Sequence, residues 1–225
     1  MSGALKGLAL RAAGSPRPEA VDSARAIAGF GFAGDVHAGE QSPRQLLLVG
    51  AAAYQDFSLP PHALRENLLL DLDTASLASG TVLHIGSEVR VRLMFQCEAC
   101  GQLDALRPGL ARRIGARRGM LARVLRGGLV HLGDEVRDLG VRMQAWPDDW
   151  RERVRRVLDA APDGAVVEYR QLAQLAGIQS SYCRAFPRLL AKLGPHYAAR
   201  AMTASAARSA NSARRWDGSG LFELA

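Results

Sequence analysis

The sequence predicts a closed or nearly closed β-barrel, mainly β with short helices, followed by a small, mainly α domain. Three observations predict it. Up to about Val141 the chain alternates short apolar runs with glycine turns, the pattern of a sheet that closes on itself. Beyond Trp146-Pro147 the apolar spacing changes to that of helices. The length of 225 residues allows one large domain or two small ones, and a hydrophobic content of 48% supplies a packed core. The boundary is placed between residues 143 and 144, giving domains over 1–143 and 144–225.

In chain order, Gln45-Leu46-Leu47-Leu48-Val49 is a continuous apolar run, as in a strand buried on both faces. Ala51 to Phe57 reads as a short helix. Thr81 to Gly86 and Val89 to Phe95 form a hairpin around Ser87. Gly115 to Leu125 reads as another short helix, and Leu129 to Val136 as a strand and turn. In the second domain, Asp148-Asp149-Trp150 opens a helix with acids where the dipole favours them. Val154, Val157, Leu158 and Ala161 form its apolar face, and Pro162-Asp163-Gly164 ends it. Val166 to Tyr169 is a short strand, and Arg170 to Ala176 a short helix closed by Gly177. Ser180 or Ser181 caps a last helix running to about Leu193. Two short helices across a glycine turn resemble a helix-turn-helix. Pro187 fits only if the second of them begins later than its serine cap suggests. Ala198 to Arg215 reads as a loop or a basic strand.

Composition excludes several classes. No apolar run approaches the roughly 20 residues of a membrane span. The first residues lack the sustained apolar stretch of a signal peptide. The expectation is a cytoplasmic protein with reduced thiols and no membrane association. Three cysteines, Cys97, Cys100 and Cys183, cannot form a disulfide framework. The net charge of +7 is carried by arginine, since Lys6 and Lys192 are the only lysines. Arginine suits planar oxyanions, so the charge is compatible with nucleic acid or a phosphate-bearing cofactor. The sequence is silent on oligomeric state.

Four clusters in the first domain carry chemistry. Gly34-Asp35-Val36-His37-Ala38-Gly39 brackets an acid and an imidazole with glycines. Arg44-Gln45 precedes the buried run, and Arg65-Glu66-Asn67 sets three polar groups in a row. Cys97-Glu98-Ala99-Cys100 ends the hairpin and precedes Gly101. Such a pair can ligate a metal, carry sulfur or cycle as a disulfide. A structural zinc site needs two further thiol or imidazole ligands, for which His37 and His84 are the local candidates. A thioredoxin-like pair opens a helix in a βαβ unit, whereas this one follows a β-hairpin.

In order, these pieces resemble the MOSC family, the molybdenum-cofactor sulfurase C-terminal domain. Gly80 to Gly86, Arg118 to Val124 and Gly133 to Val136 add to the resemblance, which covers about residues 4 to 140. It implies a barrel whose cysteine binds the molybdenum of a pyranopterin cofactor or carries sulfur for it, with a redox or sulfur-donor partner protein. A thiolate is a soft ligand suited to such a metal, and nearby cations favour the thiolate form. Cys100 is the favoured metal-binding thiol because Gly101 leaves space beside it; Cys97 is the alternative. Asp35, His37, Arg44, Arg65, Glu66, Asn67, Arg118 and Arg123 are the implied cofactor-binding residues, the arginines suiting its phosphate.

Residues 148 to 225 resemble the C-terminal domain of O6-alkylguanine-DNA alkyltransferases and alkyltransferase-like proteins. The matching pieces are Arg153 to Leu158, Gly164 to Ala173, Leu175 to Gly177 and Ser181 to Ala185. The resemblance implies a winged helix-turn-helix that grips duplex DNA through residues 146 to 225, using Tyr169, Ser181, Arg184 and Arg188. The acceptor motif Pro-Cys-His-Arg is absent, Tyr197 to Met202 standing in its place, so alkyl transfer is not expected. The stretch Ser205 to Asn211 also departs from the glycine-rich pattern of that family. From Trp146 onward 12 basic residues face 8 acidic ones, a balance compatible with phosphate contacts. A docking or dimerisation module is the competing reading. For the whole chain, a cofactor-binding or sulfur-carrying barrel competes with a non-enzymatic, lesion-recognising DNA-binding protein in which the barrel is a scaffold.

Overall fold

Seven strands close the barrel that the alternating apolar runs predict. The computed structural model describes residues 1–209 and 214–223. The chain divides into two units, Met1–Glu40 with Arg44–Trp146 and Gln41–Pro43 with Pro147–Ala225.

The first unit contains β1 (Ser2–Leu10), β2 (Glu19–Ala20), β3 (Ser23–Ile27), β4 (Gly31–Phe32), β5 (Leu46–Gly50) and α1 (Ala51–Asp56). It continues with β6 (Leu68–Leu70), β7 (Thr81–Ile85), β8 (Val89–Gln96), α2 (Gly101–Leu106), α3 (Leu110–Ile114), β9 (Met120–Arg126), β10 (Gly128–His131) and β11 (Glu135–Arg142). The order β11-β7-β8-β9-β5-β6-β1 closes through a β1–β11 pairing, Gly3 standing opposite Val136. Closure removes the edges that an open sheet would expose. β5 and β6 run parallel; the other neighbours around the ring are antiparallel. A smaller sheet, β10-β3-β4, lies in the same unit.

Inward alternation fills the barrel. Leu46 and Leu48 of β5, Leu68 and Leu70 of β6, Leu83 and Ile85 of β7, and Val89, Val91 and Leu93 of β8 share one core. β5 is buried along its whole length, which explains its unbroken apolar run. The hairpin of β7 and β8 matches its predicted extent closely. The helix expected over Gly115 to Leu125 is a correction: only Gly115–Arg118 forms a 3₁₀ turn, and Met120–Arg126 is strand. Pairing on both sides, with β5 and β8, overrides the local helical preference. Arg92 of β8 is buried, and the Gln144 carbonyl accepts from its guanidinium. Trp146 is buried too, its amide donating to Ser79 Oγ at 2.7 Å, and both contacts keep the chain with the barrel as far as Trp146.

The second unit contains α4 (Trp150–Ala160), β12 (Ala165–Glu168), α5 (Tyr169–Leu175), α6 (Phe186–Leu193), α7 (Pro195–Ala199), β13 (Ala201–Met202), α8 (Ala204–Ser209) and β14 (Arg214–Arg215). Asp149 caps α4, accepting from the Arg151 amide at 2.8 Å. Arg153 is fully buried and donates to the carbonyls of Ala176 (2.8 Å), Pro147 (3.2 Å) and Asp148 (2.6 Å). The helix expected from Ser180 is split: Ser180–Ala185 is a 3₁₀ turn, and the α-helix starts at Phe186 with Pro187 in its first turn, where a missing N–H costs nothing. β12 pairs in parallel with both β13 and β14. Among the described residues this unit is helical with a small parallel sheet, and shows no antiparallel hairpin that would form a wing. Part of the Ser205 to Asn211 stretch lies outside the described residues.

Candidate functional site

The predicted residues of the barrel fall into two groups. The first is built on the glycine loop. Gly34, at φ +81°, turns the chain so that Asp35 points inward and is buried. Asp35 Oδ1 accepts the His37 amide at 2.8 Å, and Oδ2 accepts the Arg11 amide and Asn67 Nδ2, each at 2.9 Å. Asn67 Oδ1 in turn accepts the Leu47 amide at 3.0 Å. Asp35 and Asn67 thus anchor the loop to β5 and to the segments that follow β1 and precede β6.

His37 stands on that anchor. Its Nε2 lies 2.8 Å from Arg11 Nη2. A guanidinium only donates, so Nε2 accepts and any ring proton sits on Nδ1. Surrounding protein removes solvent from the imidazole and lowers its pKa; Arg11, Arg44 and Arg65 push the same way, against Asp35. The ring keeps an exposed edge even so. The Arg11 guanidinium against the imidazole, with the positive charges of Arg44 and Arg65 acting on it as well, makes a site suited to an anion. Arg65 has a left-handed backbone conformation, φ +55°, which is strained for a side chain of this size.

Arg11 was not among the residues predicted. It lies in an undistinguished stretch after β1, and only the folded loop brings it to His37. Gln45 and Arg123 support the loop from below. Gln45 is fully buried; it donates to the carbonyls of Gly29 and Gly39 and accepts from the Val124 amide. Arg123 donates to the carbonyls of Glu40 (2.8 Å) and Gly29 (3.2 Å).

The second group contains Glu66 and Arg118. Successive residues of an extended segment point opposite ways, so Asn67 joins Asp35 while Glu66 turns to α1. Tyr54 Oη donates to Glu66 Oε2 at 2.5 Å and accepts from the Leu64 amide at 3.2 Å. Burial pushes the Glu66 carboxyl above the usual carboxylate range, with the Tyr54 hydrogen bond opposing, and burial also holds Tyr54 protonated. Arg118 is buried, donating through Nη1 to Leu64 O at 2.9 Å, and its Nε has no partner.

The two thiols differ in access. Cys97, directly after β8, is buried, its amide donating to Gly119 O at 2.8 Å. Gly119 has φ +103°, and a Cβ there would collide with Leu48 O. Cys100 is exposed and occupies the N-cap position of α2 without a side-chain capping hydrogen bond. The pair therefore follows a hairpin strand, as expected, but also opens a helix, which was not. Among the described residues no three His, Cys, Asp or Glu side chains gather as a metal site.

In the second unit Ser181, Arg184 and Arg188 are exposed. Tyr169 is half-buried and meets Phe186 edge-on, 5.4 Å between ring centroids. Cys183 Sγ lies 3.4 Å from Tyr169 O, and burial raises its thiol pKa, the opposite of what a nucleophile needs. In the segment standing where an acceptor cysteine would lie, Arg200 binds the carbonyls of Leu158 (2.9 Å) and Ala161 (2.8 Å), and so closes the end of α4.

The seven-stranded barrel is consistent with the fold of a MOSC domain. Residues 35–137 match the family model of the MOSC domain, a domain associated with molybdenum-cofactor binding in general. The YuaD protein of Bacillus subtilis is similar at a TM-score of 0.53 and 21% identity, over 60% of this chain and 94% of that one. YiiM of Geobacillus stearothermophilus is similar at 0.51 and 14% identity, over 84% and 99%. A hypothetical protein of known structure gives 0.53 and 17% identity, over 83% and 88%. At these identities the likeness is one of fold. No curated protein matches the chain. Among the described residues no helix is long and apolar enough to cross a membrane.

Proposed function

We propose that the barrel binds a pyranopterin molybdenum cofactor, or passes sulfur for one, through Cys100. The observation that supports this reading is the exposed Cys100 thiol in a barrel where Arg11 hydrogen-bonds His37 and the charges of Arg44 and Arg65 act on the same imidazole. The residues fit the group. One soft thiolate is an apt protein ligand for a metal that arrives with sulfur donors of its own. The guanidinium cluster suits the cofactor's phosphate, and Arg118 Nε is a buried donor with a vacant bond. A bound molybdenum centre would supply two-electron redox chemistry. The chain's own residues hold the anion, keep the loop rigid through Asp35 and Asn67, and present the thiol to a redox or sulfur-donor protein in the cytoplasm.

The test is molybdenum and pterin analysis of protein coexpressed with cofactor synthesis, for wild type, Cys97→Ser and Cys100→Ser. We expect both components in wild type, loss of molybdenum in Cys100→Ser and retention in Cys97→Ser. Wild type without molybdenum and pterin would sink the reading.

A second reading concerns residues 147–225. Ser181, Arg184 and Arg188 are all exposed on the segment after the Gly177 turn, which favours contact with the phosphates of duplex DNA. Tyr169, packed on Phe186, then serves to shape that segment. In a mobility shift on duplex DNA, the Arg184→Ala, Arg188→Ala double variant should bind more weakly and with a shallower salt dependence. Absence of any shift by wild type at low salt would favour a docking module instead.

A further inference from the structure

A cavity of about 470 Å³ borders the outer side of β1 and β6, with no cysteine in its lining. Val21, Leu59, Leu69 and Leu132 make apolar walls. This size and lining suit a small organic molecule. Tyr54, His62 and Glu66 supply the polar groups at one side.

Those polar groups are incompletely matched. Glu66 is buried; Tyr54 donates to its Oε2, and its own backbone amide also donates to the carboxylate. Its other oxygen, Oε1, faces His62 Nδ1 at 3.7 Å, too far for a hydrogen bond. His62 Nδ1 is itself buried without a hydrogen-bond partner. In the tautomer with the ring proton on Nε2, which an ammonium ligand would select, Nδ1 is an acceptor. Two acceptors then stand 3.7 Å apart, and one ammonium group, which has three N–H donors, can serve both. The loop that carries them is held in unfavourable backbone geometry. Ser58, His62 and Arg65 have φ of +46°, +57° and +55°, and such strain clusters where ligands are gripped.

Charge at the mouth does not oppose a cation. Lys6 is paired with Asp71 at 3.6 Å, and Asp22 is exposed at the rim. An anionic ligand would be repelled by the Glu66 carboxylate, an effect that the charges of His62 and Arg118 beside it reduce.

We propose that this cavity binds a small, largely apolar molecule carrying a basic nitrogen, whose ammonium group bridges Glu66 Oε1 and His62 Nδ1 while its apolar body packs on Leu59, Leu69 and Leu132. The site contains no thiol and stands whether or not the barrel holds a molybdenum cofactor.

The test uses the purified full chain and three probes of one shape: 2-phenylethylamine, 2-phenylethanol and 3-phenylpropionate. Affinities come from titration calorimetry or protein-observed NMR at pH 7.5. The amine should bind at least tenfold more tightly than the alcohol, and the carboxylate should not bind. Glu66→Gln keeps an acceptor for Tyr54 and removes the charge; it should abolish the tenfold preference. Leu69→Trp, which fills the apolar end and leaves Glu66 in place, should block amine and alcohol alike, and it decides the matter if Glu66→Gln does not fold. Equal affinity for amine and alcohol in wild type overturns the proposal. So do unchanged amine binding in both variants and no amine binding at millimolar concentration. Molybdenum content should be the same with and without the amine, which separates this site from the cofactor reading.

Discussion

Asn67→Ala tests the anchor on which the site stands. The side chain is 4% exposed and makes three contacts: it accepts from the Leu47 amide at 3.0 Å, donates to Asp35 Oδ2 at 2.9 Å, and donates more weakly to Ala9 O at 3.3 Å. Truncation deprives a buried amide of an acceptor, which costs about 1–3 kcal/mol. It also removes a hydrogen bond to a carboxylate, a loss of about 1.5–3 kcal/mol. Allowing for partial relaxation, the expected cost is about 3–5 kcal/mol, or a fall in Tm of about 6–15 °C for a barrel of this size. Urea denaturation of wild type, Asn67→Ala, Asp35→Ala and the double variant measures it. A double-mutant cycle should return a coupling of about 1.5–3 kcal/mol, since each single variant already breaks the shared bond. A cost for Asn67→Ala below about 1 kcal/mol, or a cycle additive to within about 0.5 kcal/mol, would refute the reasoning.

Three further outcomes follow from other parts of the molecule. Brief alkylation by iodoacetamide, read by peptide mass spectrometry, should modify exposed Cys100 at least tenfold faster than buried Cys97; comparable rates would contradict the difference in access. Burial raises the folded-state pKa of Glu66, with Tyr54, His62 and Arg118 opposing, so its contribution to stability is fully present below the ordinary glutamate range and is lost as pH rises through the raised value. Glu66→Gln should therefore gain stability relative to wild type as urea midpoints are followed from pH 4 to pH 8; a constant difference would show that the carboxyl is not desolvated. Arg153→Ala strips the donor from three carbonyls and should cost about 3 kcal/mol in the second unit. Trp150 fluorescence during denaturation reports that loss, and an unchanged midpoint would count against it.

The barrel was legible because burial leaves a trace at each strand. The unbroken run at Leu46 to Val49 marks a strand covered on both faces, and the alternation at Val89 to Phe95 marks one hairpin arm. Where pairing outweighed local preference, as at Met120–Arg126, the helical reading failed. Arg92, a charged residue in the middle of β8, is buried with the carbonyl of Gln144 as its acceptor, a contact 52 residues away that no local pattern displays. Within the barrel, Asp35 is hydrogen-bonded to Asn67 and to the His37 amide, whereas Glu66 and Arg118 lie with Tyr54 and Leu64.

By itself the sequence determined the class of fold, the change of architecture near Trp146 and the absence of a cysteine framework. Apolar period, glycine position and residue chemistry are local properties, and a chain displays them before it folds. The tertiary structure alone decided which of two neighbouring thiols is exposed, that Arg11 completes the cluster around His37, and that Glu66 looks away from Asn67 into an apolar cavity with His62. Each of these depends on contacts across many residues of chain, such as the bond of Asn67 to Asp35, and on which face of a segment the closed barrel leaves open.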